Sequence, residues 1–593
     1  MNSTQTIPHL LYRLWQHINS RRRWQFGVLL VLMVIASFAE ILSIGAVLPF
    51  LGVLTAPERI FGHPFTQPLI NALGLTAPEQ LLLPLTITFC TVAVLAGAMR
   101  LLLLWANTRL SYATGADLSN SIYRRTLYQS YEVHVNRNSS EIINAISNKT
   151  NSVIGIIILI LNFISSSATL IAILIALLLV DPVVATAAFF GFGLIYIIII
   201  GLTRKKLLVD SQRIAKESTQ VIKSLQEGLG GIRDVLIDGC QELYCRLYRD
   251  ADQSLRKAQG NNMFISQSPR YGMEALGMLL IAGLAYTLAK QPDGIAKAIP
   301  ILGALALGAQ RLLPSLQQAY GAWSVIKGAQ ISLQDTLELL DQPLPDYADQ
   351  SLTKLLSFSN NIVIRDLSFR YSPVTPLVLN KLNIEIVKGS RIGFIGTTGS
   401  GKSTLLDIVM GLLSPTEGSL EIDGLPININ NRRDWQAHIA HVPQTIFLTD
   451  SSIAENIAFG VPHNNINYER VALAAQKAQI ADIIEAWPNQ YQTFVGERGV
   501  RLSGGQRQRI GIARALYKQA DVIIFDEATS ALDNETEQAV MHAIESLGKE
   551  LTILIIAHRL TTLKNCTQII ELANGGVSRV GTYEEIVHLK LGI

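Results

Sequence analysis

A chain of 593 residues is too long for one hydrophobic core, so several domains are expected. Its 49% hydrophobic and 16% charged residues, with a mean hydropathy of +0.31, are high in apolar content for a soluble protein and read as an average over a greasy part and an ordinary part. A net charge of +3 gives no argument for a nucleic-acid partner, and none is expected.

In chain order, residues 1–25 form a polar N-terminal segment ending in Arg21, Arg22, Arg23, Trp24 and Gln25. A basic cluster with an aromatic residue before an apolar run marks the cytoplasmic edge of a membrane helix. The run at 27–54 is long enough to cross a bilayer, and no cleavage site precedes it, so it reads as a retained span. Residues 55–80 hold four prolines and no lysine, as a short external connection would, with a small helix expected over 65–73. Further apolar blocks lie at 81–106, 153–180, 182–203 and 272–290, and a weaker one at 296–320 contains Pro300, Arg311 and Pro314. The connections at 113–150 and 204–270 carry the positive charge, whereas 55–80, Asp181-Pro182 and 291–295 carry almost none. Six spans with both chain ends in the cytoplasm satisfy that asymmetry. The two long connections have helix-compatible composition and are expected to extend the membrane helices. Stretches over 131–146 and 235–248 are candidates for short turns or helices resting on another domain.

Helical character continues to about residue 340, and residues 341–360 read as a linker broken by Pro343 and Pro345. From 361 to 593 the texture becomes that of a soluble α/β domain. The fold class is therefore an all-α six-helix transmembrane domain over 26–340 followed by an α/β phosphate-loop domain over 361–593. The cysteines at 90, 240, 245 and 566 show neither metal-ligand spacing nor a disulfide framework.

Residues 396–404 read GTTGSGKST and fit the phosphate-binding pattern G-x-x-x-x-G-K-[ST]. Gly396, Gly399 and Gly401 let the backbone turn its N–H groups inward, with Thr397, Thr398 and Ser400 between them. Lys402 brings positive charge to the β- and γ-phosphates of ATP, the Ser403 hydroxyl can ligate Mg²⁺, and Thr404 continues into a helix. The second motif is DVIIFDEATSALD at 521–533. Its apolar run delivers Asp526, a candidate Mg²⁺ ligand, and Glu527, a candidate general base for the attacking water. Between these, LSGGQ at 502–506 places Ser503, Gly504, Gly505 and Gln506 at the start of an arginine-rich helix, another anion-binding geometry.

These motifs, in this order and after six spans, resemble an ATP-binding cassette (ABC) exporter half-transporter over essentially the whole chain. The resemblance implies an ATP hydrolase coupled to transport, with ATP and Mg²⁺ as cofactors. It assigns adenine stacking to Tyr371 in SFRY, a metal-contacting and catalytic Q-loop to Gln444 in HVPQ, a D-loop to residues 530–533 and a switch histidine to His558 in IIAHRL. GERG at 496–499 matches the loop that contacts the cytoplasmic helices, and Thr398 stands where the family often has Ser. Singly, His558 reads equally as a core histidine and Tyr371 as strand packing. The family's signature motif closes over ATP held by another copy's phosphate loop, so one set per chain implies a dimer with a second half-transporter, in the first instance a homodimer, with a heterodimer left open.

The cargo is less determined. Glu40, Arg100 and Arg311 are charges inside membrane spans, which are functional candidates by default. Arg100 and Arg311 could recognise a phosphate-bearing head group from the inner leaflet; alternatively Arg100 snorkels to the interface and Arg311 pairs with a neighbouring helix. GGIRDVLIDG at 230–239 and the stretch over 255–283 resemble bacterial exporters that flip lipid-linked oligosaccharides or export envelope glycoconjugates. With span one starting near residue 26, no N-terminal peptidase domain is expected. The leading expectation is outward translocation of a lipid-linked saccharide or glycolipid by alternating access, in a multi-pass protein of the bacterial inner membrane with its cassette in the cytoplasm. The alternatives are a drug, lipid or peptide exporter and, in a different class, an ATP-gated channel or regulator.

Overall fold

Apolar runs that leave water must satisfy their own backbone hydrogen bonds, and the first half of the chain does so as long helices. The computed structural model describes residues 5–586 except 56–57, 59–60, 63–69, 71–73, 181, 290–312, 350–355, 528–533, 546–549 and 558–559. Helices span Ser20–Thr55, Leu82–Leu127, Thr150–Val180, Pro182–Gly230 and Gln241–Ala289. The last two have 49 residues each, or about 74 Å at 1.5 Å per residue, against a hydrocarbon core of about 30 Å. Membrane helices and cytoplasmic connections are thus continuous rods, as the composition of 204–270 suggests. Among the described residues, three helical stretches are long and apolar enough to cross a membrane: Ser20–Glu40, Pro78–Leu127 and Ser139–Ile171. The small helix expected over 65–73 lies outside the described residues apart from Ile70, and so does most of the block at 296–320.

The chain divides into two compact units, one of Met1–Gln129 with Asn136–Leu344 and one of Ser130–Val135 with Pro345–Ile593. In the first, Leu110, Ile122, Val153, Ile156, Leu333 and Leu337 form a buried core between helices. Gly115 allows one of the closest approaches, because a Cβ there would sit 2.1 Å from Ile154 Cγ1. Within the N-terminal polar segment the structure places a helix, Ile7–His17, with Leu10 and Leu14 buried. Its Arg13 and His17 both bond the Asp341 carboxylate. The i, i+4 spacing of the two leucines is the signal for this helix, obscured by the polar residues around it.

Short helices at Tyr131–Val135 and Ser139–Asn144 fall within the first candidate stretch, 131–146; in the second, 235–248, the short helix Ile232–Ile237 reaches only its first residues and the long helix from Gln241 takes up most of the rest. Ser130–Val135 groups with the second unit. There the Tyr131 phenol is held above its ordinary range by burial and then by Asp407 and Tyr371.

The second unit contains strands β1 (Asn361–Phe369), β2 (Leu379–Val387), β3 (Arg391–Gly396), β4 (Glu417–Ile422), β5 (Leu425–Pro426), β6 (Ile439–Val442), β7 (Val522–Asp526), β8 (Thr552–Ile556), β9 (Gln568–Ala573) and β10 (Gly576–Gly581). Strands β1, β2, β4 and β5 form an antiparallel sheet in the order β2-β1-β4-β5. The larger sheet runs β10-β9-β3-β8-β7-β6 and is parallel from β9 to β6. Its central strand β8 is buried at every residue, which accounts for the unbroken apolar run TILII, since a parallel sheet is covered on both faces. Trp435, fully buried, packs edge-on against Phe358 and donates from Nε1 to the Val409 carbonyl at 2.7 Å.

Candidate nucleotide site

Strand register brings distant motifs to one edge. Ile556 of β8 lies opposite Phe394 of β3 and Asp526 of β7, while Phe525 of β7 lies opposite Val442 of β6. Two residues past these partners the chain reaches Gly396 on one strand and Gln444 on another, and Glu527 follows Asp526 directly. The phosphate loop, Gln444, Asp526 and Glu527 therefore all emerge at the carboxyl ends of adjacent parallel strands, where open α/β sheets bind ligands.

The phosphate loop needs its glycines. Gly396, Gly399 and Gly401 have φ of 149°, 83° and 97°, a region unfavourable to residues with a Cβ. A Cβ on Gly396 would also come within 2.3 Å of the Leu572 carbonyl oxygen, and one on Gly401 within 2.5 Å of Leu379 Cδ2. Gly401 caps the helix Lys402–Val409, whose first N–H groups and dipole favour an anion. Lys402 is buried, and its Nζ donates to the Gly396 and Thr397 carbonyls at 3.0 Å each, which holds the ammonium over the loop. Thr397, Thr398 and Ser403 are exposed, whereas Ser400 is 3% exposed with no partner for its Oγ among the described residues.

Tyr371 stands beside this loop. Its hydroxyl shares a 3.0 Å hydrogen bond with Thr404 Oγ1, and its ring meets Phe369 edge-on at 5.0 Å. On the other side of the site, Gln444 Nε2 donates to Glu527 Oε2 at 2.7 Å. Glu527 has φ of 50° and its N–H bonds the Ile556 carbonyl at 3.1 Å. This left-handed turn, costly for a non-glycine residue, swings the carboxylate off the strand.

Leu502–Gln506 is placed apart from this cluster in its bonding. Ser503 N–H donates to Gln506 Oε1 at 2.9 Å and Ser503 Oγ accepts from Gln506 N–H at 3.2 Å, a capping box that starts the helix Gly504–Lys518. Arg507 bonds the Gly499 and Leu502 carbonyls. No residue of the phosphate loop is among these partners. His558 and the D-loop residues 530–533 lie outside the described residues.

One residue escaped sequence reasoning. Asp407 sits in the phosphate-loop helix, and burial first and the Asp526 carboxylate second push its carboxyl up to about 6. The available signal was a lone carboxylate among apolar residues in STLLDIV. Negative charge is thus concentrated beside the loop. A hydroxyl (Ser403), an amide (Gln444) and one carboxylate (Asp526) suit Mg²⁺, which keeps waters and substrate phosphates as its remaining ligands.

In the membrane unit, Arg100 is bidentate to Glu40, with Nε–Oε2 at 2.7 Å and Nη2–Oε1 at 2.6 Å. The guanidinium offered to an anionic head group already faces a carboxylate of its own chain. The pair lines a cavity of about 420 Å³ together with Ser37, Ser165, Ser166, Thr169 and Gln318. Arg311 lies outside the described residues.

Comparison with known proteins gives a consistent picture. Residues 379–530 match the ABC transporter family and residues 25–290 match the ABC transporter transmembrane region. The ATP-dependent lipid A-core flippase of Saccharophagus degradans is 40% identical over 265 residues, covering 44% of each chain. That of Alkalilimnicola ehrlichii is 31% identical over 404 residues, covering 67% of each. The leukotoxin translocation ATP-binding protein of Mannheimia glucosida is 37% identical over 287 residues, covering 48% of this chain and 40% of that one. The match spans less than half the length of the first and third of these relatives. A bacterial Atm1-family ABC exporter with ATP bound has the same fold, with a TM-score of 0.79 at 23% identity over 96% of this chain and 97% of that one.

Proposed function

Because this chain belongs to the ABC transporter family, a multi-pass membrane region joined to an ATP-binding cassette, we propose that it is an ATP-driven exporter working as a dimer of half-transporters. The membrane domain is assigned to 26–340, the linker to 341–360 and the cassette to 361–593. The observation that carries the reading is the Gln444–Glu527 pair beside the glycine turn and Lys402, on the tips of neighbouring strands. Lys402 and the helix N-terminus hold the phosphates, while Ser403, Gln444 and Asp526 would hold Mg²⁺, which would neutralise phosphate charge. Water attacks the γ-phosphorus and the bond to the β-phosphate oxygen breaks. Glu527 accepts the water's proton. Tyr371 presents its ring to the adenine, and His558 belongs beside the γ-phosphate by family pattern. The self-contained bonding of Leu502–Gln506 supports a role toward a second copy, with Ser503, Gly504, Gly505 and Gln506 closing over the partner's ATP. Closure is passed to the spans through the cytoplasmic helices, alternately exposing the cavity to either side.

For the cargo, we favour a lipid-linked saccharide or glycolipid moved outward. The cavity around Arg100 and Glu40 is charge-balanced and rich in hydroxyl and amide groups, which suits a hydroxyl-bearing head group better than a bare phosphate. The 404-residue similarity to a lipid A-core flippase is longer than the cassette and so extends into the membrane region. The leukotoxin-transporter similarity, 287 residues long, keeps a peptide cargo as the second reading. Proteoliposomes carrying the full-length protein test both. ATPase stimulated by a lipid-linked saccharide, with its outward movement abolished by Glu527→Gln, is the expected result. Stimulation by peptides alone would replace the cargo, and ATPase without transport of any solute would favour a regulator. A wild-type protein without ATPase would overturn the exporter reading itself.

A further inference from the structure

A second cavity, of about 710 Å³, opens between the N-terminal part of Ser20–Thr55 and the middle of Leu82–Leu127. Gln25, Val28, Leu29 and Leu32 form one wall at helical spacing, and Trp105, Arg109 and Tyr112 form the other at i, i+4 and i+7. Leu29 and Leu110 are a buried apolar floor, whereas Trp24, Trp105 and Tyr112 are 72%, 63% and 59% exposed. From Arg22 to Leu32 the groove follows about 15 Å of helix, close to half the hydrocarbon thickness of a bilayer. Tryptophan and tyrosine at this depth are the side chains that favour a membrane interface.

Charge decides the occupant. Arg22 at the rim is neutralised by Asp117, with Nε–Oδ2 at 2.8 Å. Arg109 is exposed and forms no hydrogen bond or ion pair among the described residues, and the same holds for Arg21 close by in sequence. An apolar trough about half a bilayer core long, with an uncompensated guanidinium on its wall, matches one molecule of an anionic phospholipid. We infer that this groove binds an anionic phospholipid of the cytoplasmic leaflet, its phosphate on Arg109 and its acyl chain against Leu32 and Trp105. The site is separate from the Arg100–Glu40 cavity and does not depend on what is transported.

Native mass spectrometry of the full-length protein in neutral detergent, titrated with phosphatidylglycerol or phosphatidylcholine, tests this. Wild type should retain phosphatidylglycerol preferentially. Arg109→Ala should weaken that retention about five-fold, the effect of one basic residue at an anionic surface, and leave phosphatidylcholine unchanged. Arg109→Lys should keep most of it, Trp105→Ala should weaken both lipids, and Arg246→Ala, on a distant cytoplasmic helix, should change neither. Equal retention of the two lipids by wild type would overturn the inference, as would an Arg109→Ala protein indistinguishable from wild type. Tighter retention of a glycosylated lipid than of phosphatidylglycerol that is lost in Arg109→Ala would assign the groove to cargo and also overturn it. ATPase in detergent without added lipid reports separately on the exporter reading.

Discussion

Replacing Asp407 by Asn should stabilise the protein at neutral pH and do progressively less on acidification. The carboxyl ordinarily titrates near 3.8 and in the fold near 6, because it is partly buried and faces Asp526. A folded-state pKa above the unfolded one means that the unfolded chain ionises first as pH rises. The resulting penalty begins to accumulate near pH 4, is complete above about 6 and persists at neutral pH. At about 1.4 kcal/mol for each pH unit between the two values, its upper bound is about 3 kcal/mol, and partial solvent contact reduces it to roughly half. For a cassette of this size that corresponds to about 3–6 °C in melting temperature. The assay is thermal unfolding of the nucleotide-free full-length protein in detergent, wild type against Asp407→Asn, at pH 7.5 and 4.5. The expected gain at pH 7.5 falls to about a third at pH 4.5. An equal gain at both pH values, or a loss at pH 7.5, would refute the electrostatic account of this residue.

Three further outcomes follow from particular contacts. Gln444→Ala removes the hydrogen bond to the Glu527 carboxylate, and steady-state ATPase should fall about ten- to a hundred-fold while equilibrium ATP binding changes little. Gly401→Ala combines a left-handed backbone with a Cβ 2.5 Å from Leu379 Cδ2, so it should cost about 2–4 kcal/mol of cassette stability and weaken nucleotide binding measured by fluorescence titration. Arg100→Met removes the bidentate partner of the Glu40 carboxylate inside the membrane unit, so folded yield and melting temperature should drop, and adding Glu40→Leu should restore them. A double variant no better than the single one would show that the ion pair is not what Arg100 contributes to folding.

Legibility in the sequence followed the range of the interactions. The glycine turn at 396–401 could be read directly because its conformational demand is met by residues adjacent in the chain. The capping box of Ser503 and Gln506 is equally local. The Arg100–Glu40 pair joins residues 60 apart on two helices, and nothing in either run says which polar group faces which. The helix Ile7–His17 went unread for a related reason: its leucines are buried by packing that a mostly polar stretch does not announce.

By itself the sequence determined that a membrane part precedes a phosphate-loop domain, and it specified which residue types form the nucleotide cradle, because periodicity and turn chemistry act over a few residues. Only the tertiary structure decided that Gln444 meets Glu527, that Asp407 faces Asp526 and that Arg100 is already neutralised. Those facts depend on strand register and helix packing, where a shift of one residue would turn each side chain elsewhere. The long-range contacts thus convert a list of motifs into one site, with a defined set of partners for each charge.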